Sequence, residues 1–198
     1  MKKTLQLVCP VCGHHFSDEH YSSYNLQEEN GDLSKILNDS WIKHKCPKCN
    51  SEISVIDTMV FHDMKKGLMI YYFPENSGTT EIHESFVKKY NYPSNYTIRI
   101  VEGKYNDFKE KILLFEYGIN DYAVELYKKD IILKKYKTND IYEAHLLFDK
   151  YSIPQGFVMY QKDSKPIIER FDANEYESYV EKTMKLSSML RVHYSLIL

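Results

Sequence analysis

Four cysteines in two Cys-Pro-x-Cys pairs constrain this chain more than any other feature. The pairs are Cys9 with Cys12 and Cys46 with Cys49. The proline presets φ near about −65° for the first residue of a tight turn between the two sulfurs. Gly13 and Asn50, which follow the pairs, are residue types that tolerate positive φ. The spacing therefore predicts two similar turns whose four thiolates form one closed tetrahedral metal shell.

The thiols are expected to bind metal rather than to form disulfides. Only Leu5–Val8 separate the charged start from the first cysteine, which is too short for the apolar segment of a signal peptide. With no export signal, we expect a cytoplasmic protein with reduced thiols. No run of 18 apolar residues occurs, so we expect no membrane span. A closed four-cysteine shell is typical of a structural zinc ion, and we predict one Zn²⁺ per chain.

The length of the insert between the pairs does not weaken this prediction. Residues 13–45 are 33 positions, against the usual 15 to 20. Doubling a loop costs only about 0.6 kcal/mol of closure entropy. Structural zinc contributes on the order of 10–16 kcal/mol in small peptides. The insert can therefore hold a short helix and an extended segment without loss of the site.

Two other interpretations of the cysteines remain open. A single Cys-Pro-x-Cys pair occurs in thioredoxin-like redox proteins, but there it opens a helix after a strand, and it would leave the second pair unexplained. Histidines could also replace a cysteine as ligand, but with four thiols present we expect them to be exposed or to support the ligands. The candidates are His14, His15, His20 and His44.

Hydrophobic patterns predict an α+β fold that begins with a zinc-ribbon-like antiparallel module, residues 1–74. The predicted strands are 5–9, 41–46, 53–61 and 68–73, with a short helix inserted at 32–38 and a hairpin loop at 62–67. A cluster of turn residues at 74–80 marks the predicted boundary.

Residues 75–198 are predicted to form a second α+β region, possibly packed as one unit with the first. A capping box from Asp107 to Glu110 predicts a helix that stops at Gly118, and Asn120 caps a second helix, completing a helical hairpin. Strands are predicted at 96–101, 141–148, 156–160 and 167–171. Asp172 then caps a C-terminal helix. The residues predicted to face inward on this helix are Tyr176, Tyr179, Val180 and Met184.

Charge gives weak support to nucleic-acid binding. Of the 26 basic residues only Arg99, Arg170 and Arg191 are arginines, and arginine makes the commonest specific base contact. The second helix of the hairpin carries acidic residues among its lysines, which is typical of a solvated face. The lysines are Lys128, Lys129, Lys134, Lys135 and Lys137. Generic antiparallel helix pairs are commoner than DNA-binding ones.

The cysteine motifs resemble those of the CpXC family, bacterial and archaeal proteins named for two such motifs. The resemblance covers 8–13 and 44–49, continues into 61–64 and 68–71, and extends more loosely over 99–101, 110–112 and the second helix to about Lys128. Asn50 departs from the glycine that the family often has there. The resemblance implies a zinc-binding module and names no activity.

Three classes of function follow from these patterns. The first is a non-enzymatic module that binds another protein, since the sequence has no G-x-S-x-G, G-x-x-x-x-G-K or H-E-x-x-H motif. The adjacent pairs His62-Asp63 and His83-Glu84 are weak evidence for a catalytic site, because neighbouring side chains on a strand point to opposite faces. The second is a nucleic-acid-binding ribbon. Its phosphate contacts would come from Lys2, Lys3, Lys43, Lys45 and Lys48, with Trp41 or Tyr24 stacking on bases. The third is an enzyme whose site lies in the C-terminal half.

Overall fold

The computed structural model describes residues 2–28, 31–74, 93, 95–136, 141–148, 153–161, 163–187 and 192–194. It confirms the predicted mixed α+β class with antiparallel sheets. The chain divides into two compact units, Met1–Tyr105 and Asn106–Leu198, called unit 1 and unit 2 below. The predicted domain boundary at residue 74 stays a prediction. In the ranges described, no helix is long and apolar enough to cross a membrane.

In its described residues, unit 1 is built mainly of short strands around one short helix, α1 (Ser34–Leu37). Two antiparallel hairpins, β1/β2 and β4/β5, carry one cysteine pair each in their turns. The strands are β1 (Lys2–Val8), β2 (His15–Tyr21), β3 (Ser23–Asn25), β4 (Lys43–Lys45), β5 (Glu52–Ser54), β6 (Met59–Asp63), β7 (Leu68–Pro74) and β8 (Thr97–Gly103).

The predicted strand over 53–61 is interrupted between β5 and β6. Asp57 is the reason, because its carboxylate accepts from the backbone N–H of Thr58 and pairs with the ammonium group of Lys3. Side-chain hydrogen bonds to nearby backbone compete with the ladder of a strand. The predicted helix at 32–38 is shorter than expected, although Ile36 is fully buried as its spacing indicated.

A larger sheet forms the core of unit 1, with β8, β7, β6 and β3 in that spatial order. The predicted hairpin between β6 and β7 is confirmed, and Gly67 has a φ of 59° in its turn. The β3/β6 and β7/β8 pairs are parallel. Residues Leu68–Phe73 are buried at every position, as expected of a strand covered on both faces.

The described part of unit 2 contains three long helices and an antiparallel sheet of order β11-β10-β9. The helices are α2 (Tyr105–Glu116), α3 (Asp121–Ile131), which continues as a π-helical segment (Ile132–Tyr136), and α4 (Ala173–Ser187). The strands are β9 (Ile141–Phe148), β10 (Pro154–Gln161), β11 (Ile167–Arg170) and β12 (Val192–Tyr194). The predicted end of the second helix near residue 138 lies outside the described residues.

Aromatic side chains centre the core of unit 2. Tyr127 of α3 meets Phe157 of β10 edge-to-face at 5.0 Å between ring centroids and stacks on Tyr179 of α4 at 5.3 Å. Phe157 is fully buried. The predicted inward face of α4 is confirmed at Tyr179, but the prediction for Met184 is wrong, because its side chain is 65% exposed.

The predicted cap of α3 is confirmed, and so is the hydrogen bonding of Asp172 at the start of α4. Asn120 accepts a hydrogen bond from the backbone N–H of Ala123 at 3.0 Å, and Gly118 ends α2 with a φ of 67°. Asp172 accepts from the backbone N–H groups of Asn174 and Glu175 at 2.9 and 3.0 Å. These bonds satisfy amide donors that have no partner inside a helix.

The prediction that Asp107 begins α2 as a capping box is wrong. The helix starts at Tyr105, so Asp107 lies within its first turn. Glu110 is buried and accepts from the backbone N–H of Leu146 and from the ammonium group of Lys128, both at 2.6 Å. Lys128 is therefore buried too, rather than on the solvated face predicted for it. A buried carboxylate requires such partners, and the sequence pattern could not show them.

Candidate metal centre

The two cysteine turns have the same backbone structure. In the first, the N–H of Gly13 donates to the carbonyl of Cys9 at 2.9 Å, and the N–H of Cys9 donates to the carbonyl of His14 at 2.9 Å. Gly13 has the positive φ, 68°, that the sequence predicts.

The second turn repeats each of these contacts. The N–H of Asn50 donates to Cys46 and the N–H of Cys46 to Ser51, both to the carbonyl oxygen and both at 2.9 Å. Asn50 has a φ of 59°. Each turn is held by its own hairpin, β1/β2 or β4/β5, so the sulfurs are positioned by local backbone rather than by the long insert.

The structure brings the four predicted cysteines together. The sulfurs of Cys9 and Cys49 are 3.6 Å apart and those of Cys12 and Cys46 are 3.7 Å apart. All four sulfurs lie within 4.8 Å of one another. A tetrahedral ion with metal–sulfur bonds of about 2.3 Å requires sulfur–sulfur separations of roughly 3.8 Å. The four cysteines are therefore spaced so that they could hold a metal ion.

Ser51 is a member of this site that sequence analysis missed. Its hydroxyl lies 3.1 Å from the sulfur of Cys9 and 3.0 Å from that of Cys49. The hydrogen bond from Ser51 is the main reason that the pKa of Cys9 falls to about 6, and it also lowers the pKa of Cys49. The available signal was its position, two residues after the second pair, where a small hydroxyl can turn back to the sulfurs.

Cys12 differs from these two thiols. The backbone N–H of His14 lowers its pKa, but burial and hydrogen bonds with the other three cysteines outweigh that effect and raise it to about 12. Four crowded sulfurs cannot share negative charge unless a cation lies among them. The electrostatics of the cluster thus suit a divalent cation.

The candidate histidines do not join the sulfurs. The only metal-ligating group that includes a cysteine, within the residues described, contains the four cysteines alone. His20 and His44 are buried rather than exposed, with His20 Nδ1 3.3 Å from His44 Nε2. His44 Nδ1 is 3.0 Å from a carboxylate oxygen of Asp18. This pair joins strands β2 and β4, the two hairpins that carry the cysteines.

We predict that Ser51→Ala weakens metal binding by about 10–100-fold, as expected for loss of a group that hydrogen-bonds two ligands. Competition with a coloured chelator measures the affinity. Ser54→Ala is the matched control, since Ser54 is an exposed serine on the same hairpin. Equal affinities of the two variants would show that the Ser51 hydroxyl does not support the thiolates.

Four of the seven residues considered for nucleic-acid binding, Lys2, Lys43, Tyr24 and Trp41, line one cavity of about 490 Å³ in unit 1, whereas Lys3, Lys45 and Lys48 do not. The ammonium groups are paired, Lys2 with Glu19 and Lys43 with Glu52. Trp41 and Tyr24 are only 8% and 4% exposed and pack edge-to-face on each other at 4.9 Å. The rings are therefore core residues that offer little face for a base.

The isolated His62-Asp63 pair has a structural explanation. Asp63 accepts from the side chain of Gln27 at 2.9 Å and from the backbone N–H groups of Lys65 and Lys66, which holds the β6–β7 turn. His62 Nε2 lies 3.1 Å from the hydroxyl of Tyr96. The second such pair, His83-Glu84, lies outside the described residues.

Fold and site together define an α+β protein with a four-cysteine cluster built from two hairpin turns. The chain belongs to the CpXC protein family, whose model matches residues 7–128. The match includes all four cysteines and ends inside α3, so β9 to β11 and α4 lie beyond it. No curated protein and no solved structure matches the chain.

Proposed function

We propose that this chain is a zinc-binding protein in which one Zn²⁺ has a structural role in a zinc-ribbon-like module. The observation that supports this most strongly is the pair of matching turns, which bring four sulfurs within 4.8 Å of one another. Thiolates are ligands that zinc prefers, although an iron centre can use the same four sulfurs. Metal analysis of purified protein distinguishes the two metals.

The structural role follows from what the metal would join. The β1/β2 and β4/β5 hairpins form separate two-stranded sheets, and such a sheet alone is marginally stable at best. One ion bound to Cys9 and Cys12 on the first hairpin and to Cys46 and Cys49 on the second would cross-link them. Because four thiolates fill a tetrahedral shell, the ion would have no open position for water or substrate.

We further propose that the module binds another protein through the first cysteine turn. Val8 and Val11, at the end of β1 and within the turn, are 55% and 72% exposed. Single exposed apolar residues are common, but these two flank Cys9 on backbone that the metal would hold rigid. A rigid apolar anchor loses little conformational entropy when it enters a pocket on a partner.

We predict that Val11→Asp lowers capture of the physiological partner at least about tenfold, equivalent to about 1.4 kcal/mol. The partner is identified by cross-linking in native cells and then tested as purified protein. Ile168→Asp is the matched control, because Ile168 is 71% exposed in unit 2. Equal binding by wild type and Val11→Asp, with zinc retained by both, would contradict this surface.

Nucleic-acid binding is the alternative, favoured by the lysines around the unit 1 cavity. The paired ammonium groups and buried rings weigh against it, so we predict no binding to single-stranded or duplex nucleic acid tighter than about 10 μM at physiological salt. Fluorescence anisotropy at several salt concentrations provides the measurement, since phosphate contacts weaken steeply with salt. A submicromolar affinity lost in Lys43→Glu with Lys45→Glu would reverse the ranking.

A further inference from the structure

A second group of metal-ligating side chains lies in unit 2, away from any cysteine. It contains Asp107 and Glu110, three positions apart on α2, and His145 on β9. His145 Nδ1 lies 3.7 Å from Asp107 Oδ1 and 3.6 Å from Glu110 Oε2. Residues three apart on a helix share a face, so α2 directs both carboxylates toward the same point on the strand.

The opposite side of the imidazole is already held in place. His145 Nε2 is 2.6 Å from Glu143 Oε1, a hydrogen-bond distance that places the ring proton on Nε2. The lone pair of Nδ1 then faces two carboxylates. A carboxylate that orients a histidine in this way, with its other nitrogen free to coordinate, is the usual support of a metal-binding histidine.

Nδ1 is a buried nitrogen without a hydrogen-bond partner. A proton on Nδ1 would have its nearest acceptors at 3.6 Å or more, beyond the range of a hydrogen bond. A cation with bonds of about 2.0–2.2 Å to nitrogen and oxygen would contact all three atoms after a small inward movement. The separation therefore leaves Nδ1 available to a metal ion.

Charge favours the same occupant. The network of ion pairs around Glu110, within the residues described, joins His145 and two ammonium groups to five carboxylates. Its members are Asp107, Glu110, Asp121, Glu125 and Glu143 with Lys111 and Lys128. A divalent cation at Nδ1 would add positive charge among these carboxylates, which favours its binding.

We propose that Asp107, Glu110 and His145 form a second metal site that holds one divalent transition-metal cation. Glu143 is its positioning residue, because it orients the histidine without touching the ion. Nitrogen and carboxylate ligands suit Mn²⁺, Fe²⁺ or Zn²⁺, unlike the sulfur cluster of unit 1. Two of the four residues, Glu143 and His145, lie beyond the family match, which therefore covers only half of the site.

The test is a titration of the full-length, zinc-loaded protein with Mn²⁺, which thiolates bind poorly. Electron paramagnetic resonance measures the concentration of free Mn²⁺. Nuclear magnetic resonance locates the bound Mn²⁺, because the ion broadens the signals of nearby residues. We expect one Mn²⁺ per chain, with signals of the His145 ring and the Leu146 amide broadened first. Wild-type protein alone gives this answer, so it does not depend on whether a variant folds.

Variants then assign the ligands. Asp107→Asn should abolish stoichiometric binding, and Glu143→Gln should weaken it by about 10–100-fold. Glu177→Gln, which removes the same charge from an exposed site on α4, should leave binding unchanged. Absence of Mn²⁺ binding, together with protons on both nitrogens of His145, would overturn the proposal. So would a loss of Mn²⁺ binding in Glu177→Gln as large as that in Asp107→Asn. Both outcomes are independent of the metal that the cysteines hold.

Discussion

Replacing Cys46 with serine should unfold the two cysteine-bearing hairpins of unit 1 and leave unit 2 folded. Three thiolates bind zinc far more weakly than four, and structural zinc contributes on the order of 10–16 kcal/mol to folding in zinc-finger peptides. Without that contribution, β1/β2 and β4/β5 remain as two-stranded sheets joined by the His20–His44 pair, and a two-stranded sheet alone is marginally stable at best. This is the largest single-residue effect that we expect anywhere in the chain.

Hydrogen exchange measured on Cys46→Ser should show fast exchange in Lys2–Tyr21 and Lys43–Ser54. The β6, β7 and β8 strands should keep more protection, because their sheet has its own apolar core, which includes Phe61, Ile70 and Ile100. Unit 2, including α3, should be unchanged. The region expected to exchange fast is smaller than the sequence alone predicts. The sequence pattern places β6 and β7 in the same metal-dependent module as the hairpins.

Asn50→Gly is the matched control for this experiment. It changes a neighbouring residue, keeps every thiol and suits the positive φ of 59° better than asparagine does. Protection should therefore equal or exceed that of the wild type. Unchanged exchange in the hairpins of Cys46→Ser would refute the structural role of the metal, and loss of protection along the entire described chain would refute the independence of unit 2.

Phe157→Ala should destabilise unit 2 by about 3–5 kcal/mol, the usual range for loss of a buried phenylalanine. Phe157 is fully buried between Tyr127 and Phe171, with ring centroids at 5.0 and 5.9 Å. Removal of the ring leaves a cavity and takes away the ring contacts of Tyr127 and Phe171 with Phe157. Urea unfolding followed by hydrogen exchange in α3 and β10 measures the change.

The control for Phe157→Ala is Ile168→Ala on the neighbouring strand β11. Ile168 is 71% exposed, so its truncation should change the free energy of unfolding by no more than about 0.5 kcal/mol. Zinc content should be unaffected by either substitution. A change below about 1 kcal/mol for Phe157→Ala would contradict the placement of this ring in the core.

Local chemistry explains which features the sequence could predict. The two cysteine turns were predictable because proline, cysteine spacing and the tolerance of Gly13 and Asn50 for positive φ all act within six residues. The cap at Asn120 and the hydrogen bonding of Asp172 were predictable for the same reason. In each case the residues that interact are close in sequence.

The features that could not be predicted depend on residues distant in sequence. Asp107 and Glu110 matched a capping box, yet Glu110 instead meets Lys128, 18 positions away, and Leu146, 36 positions away. No periodic pattern in the sequence reveals such a partner. The buried Lys128 was therefore predicted to lie on a solvated face. The pairing of His20 with His44 was hidden for the same reason, because it requires the hairpins to meet.

X-ray absorption at the metal edge of purified protein tests the central claim most directly. If Cys9, Cys12, Cys46 and Cys49 hold a structural zinc, the protein contains zinc bound by four sulfurs at about 2.3 Å. Any zinc at the second site would add a separate nitrogen and oxygen component that disappears in Asp107→Asn. Zinc bound by fewer than four sulfurs in the Asp107→Asn variant would contradict the account. A disulfide between these cysteines in protein prepared under reducing, metal-replete conditions would contradict it as well.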